Sequence, residues 1–130
     1  MTQNTHIKIY EVGPRDGLQN EKQIIPTDQK LALIAKLAEA GLKYIEATSF
    51  VSPKWVPQMA DHNDIMHALR NKDDGVTYAA LVPNDKGMTK AVHCGVKEVA
   101  VFAAASEGFS RKNINCTIAE SIARFEPVLQ

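Results

Sequence analysis

The sequence predicts an α/β fold in which helices cover a parallel sheet, and three observations carry that prediction. Strand-like and helix-like stretches alternate, strand first, four times along the 130 residues. The later strand stretches are almost continuously apolar, as strands buried on both faces must be. The returns from helix to strand are short, Gly41-Leu42-Lys43 and Gly95-Val96-Lys97, whereas the strand-to-helix loops are long and polar. An open doubly wound sheet and half of an eight-stranded barrel both place their chemistry at the carboxyl ends of strands. The asymmetry of the loops therefore leaves these two architectures open.

His6-Ile7-Lys8-Ile9-Tyr10 alternates and predicts the first strand, with Ile7 and Ile9 on one face. Gly13-Pro14 breaks it, and a loop over 19–25 closes at Pro26. Thr27 suits an N-cap and Asp28 the positive end of the helix dipole. Leu31, Ile34, Ala35, Leu37 and Ala38 keep helical period up to Gly41, a natural stop. Residues 44–50 predict a second strand with a carboxylate, Glu46, in its middle. A Pro-rich loop over 51–57 exposes Trp55, either as the anchor of a lid or as part of a surface patch. A second helix is expected over 59–69, a third strand over 76–82, and a third helix over 86–93. The run EVAVFAAA predicts a fourth strand over 98–105, and residues 106–115 read as a polar loop. Thr117-Ile118-Ala119-Glu120 is a capping box that opens the fourth helix, with Pro127 in its last turn.

Composition narrows the function. Fifteen basic residues balance fifteen acidic ones, so no net field draws this chain to nucleic acid or to an anionic membrane. No apolar run approaches a bilayer span, and Met1-Thr2-Gln3-Asn4 has neither the basic nor the apolar part of a leader, which predicts an intracellular protein. The length and the 45% apolar content suit one domain over 1–130. Cys94 and Cys116 lack metal-ligand spacing and read as small buried hydrophobes; His62, His67 and His93 lack it too and read as surface residues. The first strand is followed by neither a dinucleotide fingerprint nor a Walker loop.

Chemistry concentrates on one rim. In a parallel array the strand ends lie side by side, about 5 Å apart. That gathers Arg15 and Asp16 after the first strand, Glu46 and Ser49 at the second, Asn84 at the third, and Ser106 with Glu107 at the fourth. Carboxylates of this kind suit a hard divalent cation, Mg²⁺ or Mn²⁺, and a guanidinium beside one would stabilise charge developing on a substrate oxygen. Plainer readings stand beside these. Asp16 equally suits a turn, and Glu46 with Arg15 equally suits a structural ion pair, because a lone carboxylate inside a strand is costly to bury.

Three blocks carry a family resemblance: EVGPRDGLQNE at 11–21, EATSFVSPKWVPQMAD at 46–61 and AASEGFSRKNINCTIAES at 104–121. Together they resemble hydroxymethylglutaryl-CoA lyase, of the divalent-metal-dependent lyases and synthases built on a TIM barrel. The resemblance implies a (β/α)₈-type barrel of which the chain holds the first four βα units. It also implies metal-dependent retro-Claisen cleavage of 3-hydroxy-3-methylglutaryl-CoA to acetoacetate and acetyl-CoA. By motif position, it assigns Asp16 to the divalent cation and Arg15 to the substrate carbonyl and the enolate. Glu46 becomes the residue that orients Arg15, and Gln19, Ser49, Lys112 and Asn113 surround an acyl-CoA substrate. The family's His-x-His pair, ligating asparagine and catalytic cysteine belong to later strands, and none has a match in this sequence.

The expectation is therefore a chain with little or no lyase activity by itself, in the cytoplasm or, in a eukaryote, the mitochondrial matrix. It is expected to associate as a homo-oligomer or through the exposed surface of its half barrel. The alternatives are a carbon–carbon bond-forming enzyme of the isopropylmalate- or homocitrate-synthase kind, a non-catalytic truncated domain, and an open flavodoxin-like regulator. The SFVSPKWVPQM stretch argues against the synthase, and strand order would settle the regulator.

Overall fold

The computed structural model describes residues 5–130, so the leader reading of residues 1–4 lies outside the described residues. One parallel sheet runs β1 (Tyr10–Glu11), β2 (Tyr44–Ser49), β3 (Thr77–Leu81) and β4 (Glu98–Ala100), in that spatial order. The crossovers carry α1 (Thr27–Glu39), α2 (His62–Leu69) and α3 (Asp85–His93), and α4 (Glu107–Ile114) and α5 (Ile118–Phe125) follow β4. A doubly wound sheet reverses its order at a switch point, where ligands bind. Here each strand pairs in parallel with its sequence neighbours and the order never reverses. The sheet is wound one way, as four units of a (β/α)₈ barrel are.

The register gives the sheet two chemically different faces. Ile45 pairs with Tyr78, and these, with Ala80 and Val82, pack against Ile34 of α1 and Ile65, Met66 and Leu69 of α2. Burying each of the large side chains stabilises the fold by about 1.5–3 kcal/mol. On the other face Glu46, Ala79 and Glu98 lie across three successive strands. In a half barrel this is the concave, interior face, and it carries charge.

Local chemistry explains the helix ends. Past α1, Gly41 takes φ +101°, Leu42 N donates to Leu37 O and Gly41 N to Ala38 O, which closes the helix with a left-handed residue. At α3 a side chain on Gly87 would come within 2.8 Å of Phe50 O, so glycine lets the helix start against the β2 end. Thr117 and Glu120 form the capping box predicted for α5, which ends at Phe125 before Pro127.

Six expectations need correction. The first strand is only Tyr10–Glu11, with Ile7 and Ile9 78% and 62% exposed, because β1 has a partner on one side alone. The fourth is likewise only Glu98–Ala100, and again only one neighbour pairs with it. Thr27 is the first residue of α1 and not its cap; its hydroxyl donates instead to Asp61 Oδ2 at 2.8 Å. Residues 106–115 are largely helix, with Ser106 as N-cap and Asn115 in the left-handed conformation after it. Asn84 offers only part of its amide to the rim: it lines a cavity with Lys112 and Asn113, but its Oδ1 accepts from Gly87 N at 2.9 Å as the cap of α3. His62 is buried, its ring 4.7 Å from that of Phe50 and its Nδ1 2.8 Å from Met59 O. Both cysteines are buried, as expected.

Candidate active site

The site begins where the chain leaves β1. Val12 O accepts from Asp16 N at 2.7 Å and Arg15 N at 3.1 Å, with Gly17 N at 3.5 Å closing a π-helical turn over Gly13–Gly17. Pro14 is buried in its first turn, where a missing N–H costs nothing. Such turns concentrate at functional sites because they re-aim consecutive side chains. Here Arg15 turns inward, its side chain 17% exposed, while Asp16 stays 59% exposed beside it.

Arg15 Nε donates to Glu46 Oε1 at 2.5 Å, and its Nη1 donates to Asp16 Oδ1 at 3.1 Å. Glu46 is 2% exposed, so the guanidinium is what compensates its buried charge. The two contacts lock one edge of the guanidinium and leave the rest of its donors for a ligand. Tyr10 sits close by. Burial and the carboxylates of Glu46 and Glu98 push its phenol up to about 12, against the opposing pull of Arg15, so it stays a neutral hydroxyl at physiological pH.

A bulge in β2 brings in the next residue. Glu46 pairs with Ala79 but Thr48 with Ala80, so β2 spends one extra residue between them. Without that insertion Glu46 and Ser49 would point to opposite faces; with it they share the concave one. Ser49 accordingly lines a cavity of about 590 Å³ together with Arg15, Asp16, Gln19 and Asn113. Asn20 also lines it and donates from Nδ2 to Asp16 O at 2.9 Å, while Phe102 and Phe109 supply apolar wall. Lys112 lies elsewhere, in an adjoining cavity of about 500 Å³ with Trp55 and Arg124; Asn113 lines both.

The HMGL-like family profile matches residues 6–130. This chain belongs to the HMGL-like family. Mitochondrial hydroxymethylglutaryl-CoA lyase of Rattus norvegicus is 61% identical over 124 residues, which are 95% of this chain and 38% of that protein. The cytoplasmic 3-hydroxy-3-methylglutaryl-CoA lyase of Mus musculus is 58% identical over 95% of this chain and 36% of its own length. Among solved structures, hydroxymethylglutaryl-CoA lyase from Pseudomonas aeruginosa superposes with a TM-score of 0.89 at 60% identity, over 95% of this chain and 41% of that one. An HMG-CoA lyase from Acinetobacter baumannii, in complex with coenzyme A and 3-methylmalate, gives 0.84 at 38% identity, over 94% and 40%. The chain thus spans about two fifths of the relatives it matches, and it carries the parallel βα units of their TIM barrel.

Within this HMGL-like chain, six of the seven residues that the resemblance assigned gather at one place: Arg15, Asp16, Gln19, Ser49 and Asn113 on the cavity, with Glu46 directly behind Arg15. Asn20 was quoted in the first motif without a role, because the π-helical turn it follows is not encoded in any local pattern. Among the described residues no three His, Cys, Asp or Glu side chains are grouped as a closed metal site requires. Among the described residues no helix is long and apolar enough to cross a membrane.

Proposed function

We propose that this chain supplies the Arg15–Asp16 part of a hydroxymethylglutaryl-CoA lyase site, for retro-Claisen cleavage of 3-hydroxy-3-methylglutaryl-CoA. The observation that carries the reading is a half-buried guanidinium fixed by a buried carboxylate at the mouth of a 590 Å³ cavity. In the reaction the C3 hydroxyl loses its proton, the C2–C3 bond breaks to give acetoacetate, and the thioester fragment leaves as an enolate that is protonated to acetyl-CoA. Negative charge therefore grows on the thioester oxygen. The free donors of Arg15 are suited to hold that oxygen, and Glu46 keeps them aimed without reorganisation. Ser49, Gln19 and Asn113 would bind the acyl portion, and Lys112 in the adjoining cavity the coenzyme A portion. The complex of the Acinetobacter relative with coenzyme A supports an acyl-CoA ligand for this chain.

Asp16 fits one corner of a divalent-cation site and no more. Its carboxylate is exposed beside the cavity, with one oxygen on Arg15, and among the described residues lining that cavity it is the only carboxylate. A bound Mg²⁺ or Mn²⁺ would supply Lewis-acid polarisation of substrate oxygens. The remaining ligands and the proton-transfer groups are assigned to residues beyond this sequence. We further propose association through the open β4 side, where Val101, Ile122 and Leu129 border an apolar cavity of about 470 Å³. Relatives carry mitochondrial and cytoplasmic names, and we place this chain in the cytoplasm, or in the matrix if eukaryotic.

The test is acetoacetate release from 3-hydroxy-3-methylglutaryl-CoA with Mg²⁺ or Mn²⁺. It is run on the 130-residue chain and on the chain joined to the C-terminal part of the Pseudomonas relative. The joined protein is expected to turn over, its Arg15→Gln variant to lose about 10²–10³-fold in kcat, and the separate chain to give little. A folded joined protein without turnover, or full turnover by the separate chain, overturns the reading.

A further inference from the structure

The segment that returns from the cavity residues Asp16 and Gln19 to α1 has little structure of its own. Residues 20–26 belong to neither helix nor strand, so their backbone groups need partners from elsewhere. One side chain supplies three of them. Gln58, 4% exposed in a short 3₁₀ turn over Pro57–Met59, accepts from Ile25 N at 2.9 Å through Oε1. Its Nε2 donates to Gln23 O at 2.8 Å and Glu21 O at 3.2 Å. A second tie lies one turn further on. Lys30, 3% exposed, donates to Gln58 O and to Asp61 Oδ1, and Thr27 donates to Asp61 Oδ2. Both carboxylate oxygens of Asp61 are thus held by the first turn of α1. The loop after β2 grips both ends of the segment that returns from Arg15 to α1.

We propose that Gln58 is a positioning residue for the Arg15–Asp16 site, acting through residues 21–25, with the Lys30–Asp61 pair as its anchor. Ser49 reaches the cavity from β2, Glu46 on the same strand stands behind Arg15, and Gln58 lies on the loop that follows β2. The clamp therefore fixes the distance between the groups supplied by the first and second βα units. The inference rests on the lyase reading only for its kinetic arm.

Amide exchange is measured on the 130-residue chain and its Gln58→Leu variant, which keeps the volume and removes all three bonds. The amides of Asp16, Gly17 and Ile25 are expected to exchange about tenfold faster while those of β3 hold their rates, the scale of a lost net hydrogen bond or two. Acceleration spread equally through β3, or none at Asp16 and Gly17, overturns the proposal. If Gln58→Leu does not fold, Gln58→Glu answers the same question, since it keeps the acceptor for Ile25 N and loses both donors. In the joined protein, Gln58→Glu is expected to lower kcat about tenfold with little change in KM, the signature of misplaced reacting groups. An unchanged kcat overturns positioning even if exchange rises. A wild-type joined protein without turnover defeats the lyase reading alone, and the exchange result still stands.

Discussion

β2 and β4 are both apolar strands by sequence, and the structure treats them oppositely. β2 runs six residues with five of them buried; β4 runs three, all half-buried. On sequence alone EVAVFAAA is the better strand, since β2 has a carboxylate in its middle. The difference lies in neighbours. β2 pairs on both edges, with β1 and β3, whereas β4 pairs only with β3. Apolar content selects residues that tolerate a strand's interior, and a second partner decides how far the ladder extends. Function follows the same division. Glu46, an unfavourable residue in an isolated strand, sits in the well-built one because Arg15 reaches across to it.

The sharpest way to break this comparison is to remove that partner. Arg15→Ala leaves the Glu46 carboxylate buried and unpaired, and is expected to cost about 3–5 kcal/mol of stability. Urea unfolding followed by far-UV circular dichroism reads it directly. Glu46→Gln, which removes the charge but keeps the shape, should restore much of the loss in the double variant. An Arg15→Ala midpoint equal to the wild type would mean that the pair serves the ligand and not the fold.

A second comparison sets one apolar residue from each strand against the other. Ile45 of β2 is fully buried in the core, and Ile45→Ala is expected to cost about 2–5 kcal/mol. Val99 of β4 packs on the same core only half-buried, and Val99→Ala should cost about 1 kcal/mol. Equal losses would show that the open edge of β4 is covered in solution, which the association proposed for that side predicts only at high protein concentration. Repeating both measurements over a range of concentrations separates the two cases.

The same logic shows what the sequence could disclose. The alternation of strand and helix was readable because it depends on local periodicity, and the central strands came out within a residue of their observed ends. Edge-strand lengths were not, because they depend on partners that no local pattern encodes. α4 was hidden by Gly108 and a polar surface, although Ser106, Glu107 and Asn115 carried its cap signals. Arg15, Asp16 and Glu46 were legible as a charged group at strand ends, and a bulge between Glu46 and Thr48 was not. Ser49, read from the sequence as part of the rim at the end of the second strand, reaches the cavity through that bulge. His62 was misjudged since a helix's first turn usually faces solvent; here Phe50 from the β2 end covers it.

A smaller effect belongs to the fourth unit alone. Thr117 Oγ1 accepts from Glu120 N at 3.1 Å, and Glu120 Oε2 accepts from Thr117 N at 2.8 Å. Thr117→Ala is expected to cost about 1 kcal/mol. The loss should appear as faster amide exchange in α5 with β2 and β3 unaffected. Acceleration reaching β2 would show that the fourth unit unfolds together with the first three, and would weaken the division drawn above.

The smallest effect is a pH dependence confined to the well-packed half. Burial lowers the His62 pKa below 6.5, helped by the charge of Lys90 and opposed by the Met59 carbonyl and by Asp61. The unfolded chain therefore binds the proton more readily than the folded one. Stability from this group is fully present above pH of about 6.5 and declines as pH falls through the lowered folded value. Thermal midpoints of the wild type and His62→Phe, whose ring can still lie against Phe50, should run parallel above pH of about 7. They should converge or cross as pH falls below about 6.5, where only the wild type has His62 to protonate. Parallel curves throughout would show that His62 contributes nothing to the acid loss of stability.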